Sequence, residues 1–222
     1  MMKELLYYAV FLLLTTSAYA QDTTSATFYK HDVGFNTSFV LNSLFGTENS
    51  SSFDLMFKQQ ISPSRANRLG ISLDYYTMNG TTVSGMQLDE IRFNLALTLG
   101  KEWQQTLSTR WRWYGGGDVV PRFRVVSQYV EHNNIPSQNT DTHVFGVSAR
   151  PFLGIRFQIN ERLYVSTEAS LSLGFNLHRG KNIDYLDENG DGRIEEIENE
   201  VNSFETFIRV TPASGIYFFY SF

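Results

Sequence analysis

An all-β fold, an eight-stranded antiparallel up-and-down transmembrane β-barrel, is what this chain predicts. Apolar residues recur at strict period two over long stretches, those stretches number eight, and the connections between them alternate between compact and long. Period two sends successive side chains to opposite faces of a strand. Within lipid, only a ring of strands or a helix satisfies every backbone amide, and five apolar residues at period two do not make a helix face.

Residues 1–20 stand outside the pattern and read as a signal peptide. Lys3 precedes the apolar run Leu5 to Leu14, and Ala18-Tyr19-Ala20 supplies the small-x-small pattern before a cleavage at Gln21. That run is shorter than the roughly 20 residues a spanning helix needs. The barrel then occupies 21–222. Its first three strands carry Val33/Phe35/Thr37/Phe39/Leu41, Phe53/Leu55/Phe57 and Leu69/Ile71/Leu73/Tyr75. The fourth is the clearest, with Ile91, Phe93, Leu95, Leu97 and Leu99 interleaved with Arg92, Asn94, Ala96 and Thr98. The fifth runs from Trp111 past Gly115-Gly116-Gly117 to Phe123, where the glycines and Pro121 predict a bend or bulge. Phe145 to Phe157, Leu163 to Leu177 and Phe204 to Phe222 complete the set. Most approach or exceed the roughly 9–11 residues of a tilted membrane strand. Compact turns fall at 61–64, 100–105 and 160–161, longer loops at 46–51, 78–86, 131–142 and 179–202. Short turns on one side and longer loops on the other are the asymmetry of an outer-membrane barrel.

A net charge of −5 and a pI near 5.4 argue against nucleic acid as a partner. Cysteine is absent, so the fold is not stapled by disulfides. A mean hydropathy of −0.24 excludes a helical membrane protein but not a barrel, in which alternate residues meet lipid. The polar phase carries Asp54, Lys58, Asp118, Arg150, Arg156 and Glu168, together with Arg122 and Arg124, which read as salt-bridge partners in the lumen. Each basic residue would cost about 2–4 kcal/mol near the midplane if it faced lipid. An eight-stranded interior is just wide enough for side chains to fill, so it is expected to be plugged by ion pairs. A soluble cup with the faces inverted fits the alternation equally well; strand length, aromatic ends and the C-terminus favour the membrane form.

The end of the chain, Gly215-Ile216-Tyr217-Phe218-Phe219-Tyr220-Ser221-Phe222, resembles the closing strand of small bacterial outer-membrane β-barrels of the eight-stranded OmpA/OmpX-like kind. Phe222, Tyr220, Phe218 and Ile216 match the alternating aromatic pattern, and Ser214 departs from it. The resemblance implies a bacterial outer-membrane location, contact with outer-membrane lipids and recognition of the Phe222 strand by the barrel-assembly machinery.

The sharpest local motif is Asp187-Glu188-Asn189-Gly190-Asp191-Gly192-Arg193-Ile194-Glu195-Glu196-Ile197-Glu198, inside the external loop 179–202. It matches the twelve-residue EF-hand calcium loop. Asp187, Asn189 and Asp191 would offer side-chain oxygens, Arg193 a backbone carbonyl, Glu195 a direct or water-bridged contact and Glu198 a bidentate carboxylate. Hard oxygen donors suit Ca²⁺. Glu195 to Asn202 is expected to form at most a turn or two of helix, and a lone loop should bind at roughly 10⁻⁴–10⁻³ M.

No catalytic constellation is marked, and the chain reads as a non-enzyme. His178 and Glu168 share the inward phase but lie ten residues apart on one strand, roughly 33 Å, beyond hydrogen-bond reach. Trp111, Trp113, Tyr75 and Tyr129 read as interfacial girdles. The expected function is a structural or surface-interaction role with a Ca²⁺-ordered loop, contacting an extracellular protein or glycan. A narrow small-solute channel and a lipid-modifying enzyme are the alternatives.

Overall fold

A computed structural model describes residues 29–37, 50–81, 86–132, 135–186, 195–212 and 216–222. The signal-peptide segment and the residues proposed to open the calcium loop, 187–194, lie outside the described residues. Nine antiparallel strands, and no helix among the described residues, make one sheet. They are β1 (His31–Asn36), β2 (Ser50–Ser62), β3 (Arg65–Thr81), β4 (Met86–Thr106), β5 (Trp111–His132), β6 (Ile135–Gln158), β7 (Leu163–Leu186), β8 (Glu195–Thr211) and β9 (Ile216–Ser221).

From β1 to β7 each strand pairs with the next. β9 then pairs with both β7 and β1, so the ladder returns to its starting strand. β8 lies on the remaining length of β7.

Nine strands replace the eight expected because the last segment divides. Thr211 stands opposite Ser170 and Ile216 opposite Thr167, so this segment advances five residues while β7 advances three. Pro212 has no amide to donate, and the ladder stops before it. The surplus of two is even, so the side-chain phase survives: Ile208, Val210, Ile216 and Phe218 are all exposed, while Tyr217 and Phe219 are buried.

Other boundaries also move. The turn expected at 100–105 is strand, and β4 continues to Thr106. Loops expected at 131–142 and 179–202 shrink, because β5 and β6 reach His132 and Ile135 while β7 and β8 reach Leu186 and Glu195. No bulge occurs at Gly115 to Gly117, whose pairing with β4 keeps one register. Gly116 serves close approach instead, since a Cβ there would lie 2.0 Å from the Lys101 carbonyl oxygen and 2.7 Å from the Phe152 ring.

The two faces are sharply sorted from β2 to β7, whereas on β8 residues of both phases, Glu205 and Arg209 among them, are exposed. Leu99, Leu153 and Ile208 are 50%, 59% and 76% exposed, whereas Lys58, Arg68, Glu102 and Asp118 are 2–3% exposed. The charged phase points inward and the aliphatic phase outward, the reverse of a soluble cup.

Candidate functional site

The interior nearest the three short turns is filled by one charged network. Arg68 on β3 is its hub. Its guanidinium lies 3.0 Å from Glu168 on β7, 3.4 Å from Glu102 on β4 and 3.5 Å from Asp118 on β5. The Lys58 ammonium on β2 reaches Glu102 at 2.7 Å, and Arg150 on β6 reaches Asp118 at 2.8 Å. Aromatic faces complete the coordination. Arg68 lies 3.7 Å from the centroid of Phe152, and Lys58 lies 4.7 and 4.5 Å from those of Tyr114 and Phe219. These cations therefore meet π-faces where carboxylates leave space.

Nearer the turn end, the Tyr164 hydroxyl donates to Asp32 at 3.0 Å, and Arg156 stacks 3.4 Å from the Tyr164 ring centroid. Tyr217 donates to Asp54 at 2.6 Å, as does Ser72 at 2.9 Å. Outside, Trp111 and Phe157 pack at 4.8 Å and Trp113 donates to Gln105 at 3.2 Å, forming an aromatic and amide rim.

Asp54, Lys58, Asp118, Arg150, Arg156 and Glu168 all lie on the inner face expected of them. Arg68, Glu102 and Asp32 were missed. Arg68 falls on the phase opposite Leu69, Ile71 and Leu73 and was legible on that ground. Glu102 and Asp32 fell in stretches read as a turn and as a strand lead-in.

Toward the loop end the inner face changes character. Arg92, Arg122 and Arg124 are half-buried, above a floor of buried Asp118, Val120 and Ser148. Arg122 and Arg124, expected to form salt bridges, have none among the described residues. Arg122 donates to Ser148 at 3.1 Å, and its guanidinium lies 4.7 Å from the ring centroid of Phe207 on β8. Arg92 instead pairs with Glu90 on its own strand. Glu205 is held by Asn176 and the His178 ring, each at 3.2 Å. No hydroxyl bonds the His178 ring among the described residues.

Beyond Leu177 and Phe145 the outer face turns polar, and β6, β7 and β8 continue there, alongside β4 and β5. Asp184 accepts from Gln138 and Asn182 at 3.2 Å and from Asn199 at 3.4 Å, tying the three strands together. Of the residues assigned to calcium, Asp187, Asn189, Asp191 and Arg193 lie outside the described residues. Glu195 and Glu198 lie on β8, opposite Leu186 and Ile183. The turn or two of helix expected at 195–202 is strand, because β7 supplies a partner for every residue there. Glu198 is ion-paired with Lys181, which holds the Lys181 ammonium above its ordinary pKa.

No protein-family model and no curated protein matches the chain. Two solved structures match the chain at low similarity. One is the ferric yersiniabactin uptake receptor FyuA from Yersinia pestis, at 7% identity and a TM-score of 0.40, covering 72% of this chain and 25% of that one. The other is CarO of Acinetobacter baumannii, at 13% identity and a TM-score of 0.32, covering 90% of this chain and 100% of that one.

Proposed function

We propose that this chain is a bacterial outer-membrane β-barrel with a structural or surface-interaction role. The observation that carries the reading is the sorting of the two faces. Ionised side chains are buried and paired inside, while leucine, isoleucine and phenylalanine face outward along the strands. In water such an apolar band would promote association; in lipid it is the stable face. Taken together, β8 and β9 serve as one interrupted strand, giving an eight-membered ring with its turns on the periplasmic side. The Arg68 network crosses the lumen, which disfavours the narrow-channel alternative.

The polar extension of β6, β7 and β8 is the contact region for an extracellular protein or glycan. Its loop binds Ca²⁺ through Asp187, Asn189, Asp191, the Arg193 carbonyl, Glu195 and Glu198. Calcium would neutralise the carboxylates of this acidic segment. Glu198 must leave Lys181 to take the bidentate position, so the cation and the ammonium compete for one carboxylate. Gel mobility with and without boiling, together with circular dichroism of detergent-refolded protein, tests the barrel. A strand-dominated species that migrates faster unboiled is expected; a helix-rich spectrum contradicts it.

A further inference from the structure

The inner face above the charged network carries more guanidinium than its carboxylates neutralise. Arg122 and Arg124 are two residues apart on β5 and therefore share one face. The contact of Arg122 with Phe207 spans the interior, because β6 and β7 separate β5 from β8 around the ring. Arg209 lies two residues beyond Phe207 on the same phase and contributes to the field at both β5 arginines. Carboxylates nearby are already engaged: Asp118 with Arg150, Glu90 with Arg92, and Glu205 with Asn176 and His178. Asp74 on β3 is the remaining acid that Arg124 feels. The Nε atoms of Arg122 and Arg124 are shielded from solvent and have no hydrogen-bond partner among the described residues.

We infer that Arg122, Arg124 and Arg209 form a binding site for a small oxyanion, a phosphate or carboxylate group, in a cup above the ion-paired plug. Guanidinium groups stay charged and present forked donors that match two oxygens of one anion. Convergent cations repel one another across an interior of reduced dielectric, and a bound anion removes that repulsion. Arg122 and Arg124 are half-buried and Arg209 is exposed, which leaves the cup open toward the loops, while Asp118, Val120 and Ser148 close it below. The site makes no use of the calcium loop and does not depend on it.

Titration calorimetry of the refolded full chain with inorganic phosphate, in low chloride and without calcium, tests the inference; succinate in a parallel titration separates carboxylate from phosphate selectivity. Saturable binding is expected, weakened at least tenfold in Arg122→Gln/Arg124→Gln. Glu205→Gln, which removes a neighbouring negative charge, should tighten binding several-fold, a gain that misfolding does not produce. Absence of saturable binding of either anion to folded protein overturns the inference. So does unchanged affinity in the folded double variant, or no gain in Glu205→Gln.

Discussion

The Arg68 guanidinium on β3 lies 3.0 Å from the Glu168 carboxylate on β7, two strands that share no ladder hydrogen bonds. The ion pair spans the ring and ties opposite walls together. Both side chains are almost wholly removed from solvent, so neither can exchange its partner for water.

Removing one partner of such a network is costly. Arg68→Met should destabilise the folded protein by about 3–5 kcal/mol, since Glu168 and Glu102 then lose their shared cation. Urea unfolding in detergent micelles, followed by tryptophan fluorescence, should show a lower midpoint. An unchanged midpoint would mean that the network contributes little to stability.

Closure depends on a glycine under an aromatic ring. Gly34 on β1 stands opposite Phe219 on β9, and a Cβ at Gly34 would lie 2.3 Å from a carbon of that ring. Overpacking of this kind costs about 1–3 kcal/mol. Gly34→Ala should therefore reduce the fraction of heat-modifiable, folded protein, and a nearby Phe219→Leu substitution should restore part of it.

Competition at the hairpin gives a calcium prediction. Lys181→Met frees Glu198 and should raise the affinity for Ca²⁺ in calorimetry, whereas Glu198→Gln should lower it. If neither variant differs from the parent protein, Glu198 is not a ligand.

The same pair sets a pH dependence. Lys181 lies beyond the apolar band, and its hydrogen bond to Glu198 raises its pKa above the ordinary 10.5. Its contribution is complete below that value and is lost as pH rises through the higher folded pKa. Nitrogen-detected NMR of the lysine should titrate above 10.5, and Glu198→Gln should bring the midpoint down toward it.

Alternation made most strands legible, because one phase must be apolar for its surroundings while the other must not. Ile91 to Leu99 and Leu163 to Leu177 show it without interruption. The signal fails where both faces are polar: Arg179 to Leu186 and Glu195 to Asn202 carry no period, yet they pair residue by residue. Pro151 and Pro121 sit inside strands without moving the register, while Pro212 coincides with a break, and nothing local in the sequence distinguishes the three. Glu102 was hidden by Gly100, a residue that suggests a turn but here allows β5 to approach, its Cβ position lying 1.9 Å from an Asp118 oxygen. Convergence of Arg122 upon β8 is a property of ring closure that no local window contains.

Oxygen and water accessibility of nitroxide labels tests the sorting of faces most directly. The chain has no native cysteine, so single cysteines can be placed at will. Labels at residues 95 to 99 of β4, in protein reconstituted into lipid vesicles, should alternate with period two. Leu97 and Leu99 should be readily reached by oxygen dissolved in the bilayer, and Ala96 and Thr98 should be shielded from it. Labels at Leu97 and Leu99 that are reached by a water-soluble nickel chelate, or shielded from both reagents, would contradict a lipid-facing apolar surface.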